Sequence, residues 1–239
     1  MSRIEDRDDF VVVEDFDAPP EDTKSEVVSE ETEEKKKRSK LSIGIEIGIY
    51  VLLIFICVYI VPRYVCQRTS VSGESMEDTL HDRESLLIDK ISYRLHDPER
   101  YDIIVFYPKG KEVDDSEFYI KRIYGLPGET IQIEKNTIKV NGQVIEDKYA
   151  KNAMDDEGLA AKGYTLKEDE YFVLGDNRAV SLDSRKIPPE DMEKYADQYS
   201  EEELEEMAEE DAPGPVKRSF IEGKAFLRIW PLKKFGFVN

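Results

Sequence analysis

The apolar and polar positions divide the chain into three regimes. Residues 1–34 are polar almost throughout, broken by the patch Phe10-Val11-Val12-Val13. From residue 41 the chain reads LSIGIEIGIYVLLIFICVYIV, with Glu46 as its one charge. A helix of that length spans about 31 Å, the thickness of a hydrocarbon core. The run is apolar on every side, whereas the surface helix of a soluble protein carries a stripe. The pattern predicts a spanning helix over 41–62. Beyond it come short β-branched or aromatic runs at 85–88, 103–106, 118–124, 131–140, 171–174 and 223–230. These predict a mostly β, antiparallel body over 63–239. The alternation at 137–140 runs into Asn141-Gly142, the strongest short hairpin signal in the chain. Residues 146–170 are polar and irregular and read as a small insertion. Residues 190–211 read as the helical core of an acidic insertion over 189–215. Met192, Tyr195, Tyr199, Leu204 and Met207 give that segment a loose apolar stripe.

Charge sharpens these boundaries. The 239 residues carry a net charge of −19, but the acidity is concentrated. Residues 1–34 hold 14 acidic and 3 basic side chains, and residues 190–211 hold 12 acidic and 1 basic. The β body is close to neutral, which excludes the basic face that nucleic-acid binding requires. Residues 1–40 are expected to be a disordered acidic tail, because so polar a stretch cannot offset its ordering entropy by burial. The tail ends in the basic run Lys35-Lys36-Lys37-Arg38-Ser39-Lys40. That run abuts the apolar stretch, which puts the tail in the cytoplasm and residues 63–239 outside a plasma membrane. A polar tail of this length ahead of the apolar stretch reads as a retained anchor and not as a cleaved signal peptide. The acidic segment 190–211 is expected to be a solvated excursion, dispensable for chemistry, because a charge run is usually a solvated face. An unknown partner for it or for the tail is the other reading. Two cysteines, Cys57 and Cys66, and two histidines, His81 and His96, offer no disulfide framework and no metal-ligand spacing. No cofactor is implied.

Three segments carry candidate chemistry. The first is Gly73-Glu74-Ser75-Met76-Glu77-Asp78-Thr79-Leu80, just after the anchor. The second is Tyr119-Ile120-Lys121-Arg122-Ile123-Tyr124-Gly125. Side chains alternate along a strand, so Lys121 shares a face with Tyr119 and Ile123, and burial there would free a neutral amine. The third is Gly175-Asp176-Asn177-Arg178-Ala179-Val180-Ser181-Leu182-Asp183-Ser184-Arg185, a polar loop of the density that carboxylate–arginine pairs can order. Each segment alone reads as a turn or a surface strand.

Taken together, and in this order behind one anchor, the three segments resemble bacterial type I signal peptidases. The stretches at 102–106 and 221–231 resemble that family as well, and the resemblance covers roughly residues 41–239. A single N-terminal anchor is similar to the Gram-positive forms. The resemblance implies that Ser75 is the nucleophile and Lys121 the general base of a serine endopeptidase that removes N-terminal signal peptides from exported preproteins. It implies that Met76 packs beside the nucleophile and that Ser181 hydrogen-bonds near the lysine. Asp183 and Arg185 would form a structural ion pair, and the Ser75 N–H would serve an oxyanion hole. Gly73 stands where many Gram-negative members place a serine that supplies the second donor, so that donor is left open. Asp78 stands where the family usually has proline. The implied substrates carry small residues before the cut, and membrane lipid surrounds the anchor. In eukaryotic relatives a histidine replaces the lysine. Here Lys121 occupies that place, and His81 and His96 fall in polar turns. Two competing readings keep the same sequence: a dedicated processing peptidase with a narrow substrate set, and a non-catalytic membrane-tethered paralogue.

Overall fold

The computed structural model describes residues 42–108 and 118–238. The tail expected over residues 1–40 lies outside the described residues. Helix α1, Ser42–Tyr64, is by length and composition able to cross a membrane. Near its end it widens into a π-helical stretch, Ile56–Ile60, just ahead of Val61–Tyr64. Pro62 explains the widening. It has no N–H to donate, and its ring crowds the carbonyl four residues back.

The rest of the described chain follows the order β1 (Cys66–Ser70), β2 (Ser85–Asp89), α2 (Ser92–Leu95), β3 (Ile103–Phe106), β4 (Tyr119–Gly125), β5 (Thr130–Glu134), β6 (Thr137–Val140), β7 (Gln143–Val144), β8 (Tyr164–Thr165), β9 (Glu170–Leu174), α3 (Glu201–Met207), β10 (Val216–Lys217), β11 (Ile221–Trp230) and β12 (Gly236–Phe237). The larger sheet has the order β1-β2-β11-β3-β4-β9-β10, with β12 on β11, and the smaller has the order β7-β6-β5-β8. Strand pairs throughout are antiparallel, as the alternating runs predict. β3 and β9 are buried along their whole length. That explains why their sequences read as unbroken apolar runs and not as alternating ones.

Three sequence expectations are refined. The run 131–140 is not one strand. Lys135, with φ of 55°, opens a turn that folds it into β5 and β6, with Glu134 opposite Thr137. The Asn141-Gly142 hairpin is present. Both residues have positive φ, 51° and 78°, the signature of the tight turn that matches strand twist. Its second strand, β7, is only two residues long. The irregular stretch at 146–163 is anchored by buried Met154, Leu159 and Ala160.

The acidic segment is docked, which corrects the expectation of a solvated excursion. It forms a 3₁₀ helix, Pro189–Tyr195, and then α3. A Ser200–Glu203 capping box starts α3 and satisfies two of its free N-terminal donors. Tyr195, Tyr199, Leu204 and Met207 are buried in the same core cluster as Tyr124 of β4 and Phe172 and Leu174 of β9. The carboxylates of Glu201, Glu202, Glu205 and Glu206 face outward. The stripe is real, and the exposed carboxylates lie away from it, while Glu203 pairs with Lys162 at 2.7 Å.

Candidate active site

The site forms where the turn after β1 meets the middle of β4. Gly73 has φ of 87°, a conformation that L side chains rarely adopt, and its N–H donates to Asp82 Oδ1 at 3.1 Å. Leu80 N–H closes the turn on Met76 O at 2.8 Å. Met76 and Leu80 are anchored in the core with Ile120 of β4. This fixes Ser75 just ahead of two buried anchors while leaving it partly exposed.

Lys121 Nζ lies 2.7 Å from Ser75 Oγ. Lys121 is 5 % exposed and sits 5.6 Å from the Tyr119 ring centroid. Burial lowers its pKa from the ordinary 10.5 to about 8, against the opposing pull of Asp183 and Asp176, with Arg185 adding a smaller downward push. The face that strand alternation assigns to Lys121 is covered, and that burial brings the loss of its proton within about a pH unit of neutrality. An amine that sheds its proton near neutrality, beside a hydroxyl, can draw a proton from that hydroxyl. The N–H of Ser75 makes no hydrogen bond among the described residues. A cleft of about 630 Å³ opens over the pair, walled by Val71, Met76, Tyr119, Val180 and Leu182.

The third segment closes the site from behind. Asn177 N–H donates to Ser75 O at 3.0 Å, and its side-chain amide donates to Glu74 O at 3.2 Å. Asp183 Oδ1 accepts from Arg185 Nε at 2.8 Å, and Oδ2 accepts from Gly175 N–H at 3.1 Å. A Cβ at Gly175 would fall 2.1 Å from Ser181 Oγ and 2.5 Å from Ser75 O, so only glycine fits there. Ser181 is buried, but its Oγ makes no hydrogen bond among the described residues. The hydrogen bond near the lysine that the resemblance implies for Ser181 has no counterpart among the described residues.

Four residues that the motif roles did not include hold the serine turn. Arg122 and Asp176, both fully buried, form a bidentate pair at 2.9 and 2.7 Å. Thr79 Oγ1 donates to Asp176 Oδ2 at 2.5 Å, and Asn177 makes the bonds just described. The polar density of residues 175–185 was a signal for Asp176 and Asn177. Nothing local distinguished Arg122 from a surface arginine. Asp78 is exposed and pairs with Lys151 at 3.3 Å, beside the Glu77–Lys151 pair at 2.7 Å. His81 sits beside Glu84 at 3.6 Å, and neither histidine lines the cleft. Cys57 and Cys66 are free thiols.

An antiparallel β scaffold that aims a desolvated amine at a serine hydroxyl has the chemistry of a hydrolase working by acyl transfer. Comparison with known proteins gives the family. The family model described as "Signal peptidase, peptidase S26" matches residues 44–230. "Probable signal peptidase I-2" of Synechocystis sp. is 31% identical over 219 residues, covering 90% of this chain and 86% of its own. "Signal peptidase I" of Leptolyngbya laminosa is 32% identical over 180 residues, covering 74% of each chain. "Signal peptidase I" of Bacillus amyloliquefaciens is 33% identical over 161 residues, 64% of this chain and 83% of its own. A solved signal peptidase I from Enterococcus faecalis V583 aligns with 54% of this chain at 28% identity and a TM-score of 0.35. The chain belongs to the signal peptidase family, peptidase S26, and so to the serine endopeptidases.

Proposed function

We propose that the protein is a membrane-anchored signal peptidase that cleaves signal peptides from exported preproteins through a Ser75–Lys121 pair, with α1 spanning the membrane and residues 63–239 on the outer side. The observation that carries this reading is the 2.7 Å approach of a buried lysine to a serine at the floor of an open cleft.

The chemistry follows from those groups. Neutral Lys121 takes the proton of Ser75 as Oγ attacks the scissile carbonyl carbon. The oxyanion that forms faces the unengaged N–H of Ser75, a donor fixed in advance by the turn. Lys121, now an ammonium, returns the proton to the departing amine, which leaves an ester on Ser75. A water molecule then gives a proton to Lys121 and attacks the ester; as the carbon–Oγ bond breaks, Lys121 returns that proton to Ser75 Oγ, and the signal peptide leaves as a carboxylic acid that ionises in water. Asp183, Arg185, Asp176 and Arg122 hold the two reacting side chains in place. Met76 and Val71 wall the cleft beside Ser75, in keeping with substrates that carry small residues before the cut. In this reading the lipid contacts of the protein are made along α1.

The test is cleavage of a signal-peptide-bearing preprotein by the full-length protein in detergent micelles, beside Ser75→Ala. The wild type is expected to cut once at the signal-peptide junction and Ser75→Ala to be inert. Cleavage by the alanine variant at the same site would refute the assignment of the nucleophile.

A further inference from the structure

The acidic segment is tied to the loop behind Lys121 by contacts that a free excursion would not make. Ile187 is fully buried. Its N–H donates to Met207 O at 3.0 Å, and its carbonyl accepts from Glu209 N–H at 2.9 Å, a short bridge to the end of α3. Lys186 Nζ donates to Glu206 O at 2.9 Å and pairs with Asp156 at 2.7 Å. Tyr199 donates its hydroxyl to Leu159 O at 2.6 Å, and Leu159 N–H donates to Arg185 O at 3.0 Å. The carbonyl of Arg185 and the two residues after it are therefore all held, directly or through Leu159, by the acidic segment. Gly158 makes the packing close, since a Cβ there would lie 2.1 Å from Arg185 O.

Arg185 passes this constraint inward. Its Nε and Nη2 lie 2.8 and 3.1 Å from the two oxygens of Asp183, and Nη2 also donates to the carbonyls of Arg178 and Ser181. The groups facing Lys121 are Asp183 and Arg185 from this loop, Asp176 from the end of β9, Ser75 from the opposing turn and the Tyr119 ring from its own strand.

We propose that residues 190–211 clamp the loop carrying Asp183 and Arg185, and that Tyr199 and Lys186 are positioning residues for the charges that face Lys121. This rests on Ser75 and Lys121 acting as nucleophile and base. The physical effect has a definite sign. While Arg185 is locked onto Asp183, its positive charge offsets part of the pull by which that carboxylate holds a proton on Lys121. Once the loop loosens, Asp183 is freer to stabilise the ammonium, and water reaches the amine. Both changes favour the protonated form and raise the pH at which the base becomes available.

The experiment uses the full-length protein with Tyr199→Phe and Lys186→Met combined. Phe keeps the buried ring and Met keeps the aliphatic stem, so the core contacts survive. Preprotein cleavage is followed across roughly pH 6–10, beside thermal melting and a Ser75→Ala control. The alkaline-rising limb is expected to move up by about half a pH unit, which costs about threefold in rate at neutrality, while the rate on the alkaline plateau stays close to wild type. A merely structural role would lower the rate by one factor at every pH, or not at all, with the limb unmoved, and that result would overturn the clamp. If the wild type itself had no such limb, or Ser75→Ala stayed active, the serine–lysine reading would fall first and the clamp with it. An unmoved limb on an intact wild-type profile removes the clamp alone.

Discussion

Burial of Lys121 costs the fold stability, and the proposed chemistry gives that cost a use. In the unfolded chain a lysine holds its proton up to the ordinary 10.5, whereas here burial brings the pKa to about 8. Between those values the unfolded state binds more protons, so stability rises with pH across that window, and below it the penalty is present in full. The difference corresponds to roughly 3 kcal/mol at most. Lys121→Met should therefore abolish cleavage yet stabilise the protein by about 2–3 kcal/mol at pH 7, the gain fading as pH approaches 10.5. Denaturant unfolding at several pH values measures this. Equal or lower stability of the variant at pH 7 would mean that the amine is not desolvated. At this scale Ser75 and Lys121, the proposed nucleophile and base, were legible because each sits in a compact motif; strand alternation gave the face that Lys121 shares with Tyr119 and Ile123, and the structure adds that this face is covered. The Arg122–Asp176 pair was not. Its partners are 54 residues apart, and the alternation of β4 says which face Arg122 is on without saying that the face is covered.

The strands were readable as elements wherever β-branched runs met turn residues, and the Asn141-Gly142 turn was readable from its two positive-φ residues. The division of 131–140 into β5 and β6 was hidden, because Lys135 carries no side-chain signal for the conformation it adopts. The acidic segment was half legible. Its apolar stripe was visible, but the charge count argued for solvent, and only the packing of Tyr199, Leu204 and Met207 against the core decides between them. For α1 the prediction concerns direction. The basic run at 35–40 precedes the helix, with few basic residues just after it, and this one-sided charge favours an N-terminus inside the cell. Protease added to intact spheroplasts is expected to digest residues 63–239 and to spare an epitope placed before residue 40. Loss of that epitope from outside would reverse the topology, and a catalytic body facing the cytoplasm could not meet exported substrates.

The whole molecule separates its charge from its chemistry. A net charge of −19 belongs largely to the tail and the acidic segment, while the proposed site draws on a few buried groups: Lys121, Asp183, Arg185, Asp176 and Arg122. Screening by salt weakens exposed charges far more than buried ones, so catalysis should follow the titration of Lys121 and not the overall acidity. The role of Lys121 as the base is tested most directly by one profile, the pH dependence of single-turnover cleavage by the full-length wild type beside Lys121→Arg. The wild-type rate is expected to rise about tenfold per pH unit at low pH and to level off near the pKa of about 8. The arginine variant should be inert throughout, because a guanidinium keeps its proton. Substantial cleavage by Lys121→Arg, or a wild-type rate independent of pH across that range, would show that Lys121 is not the base.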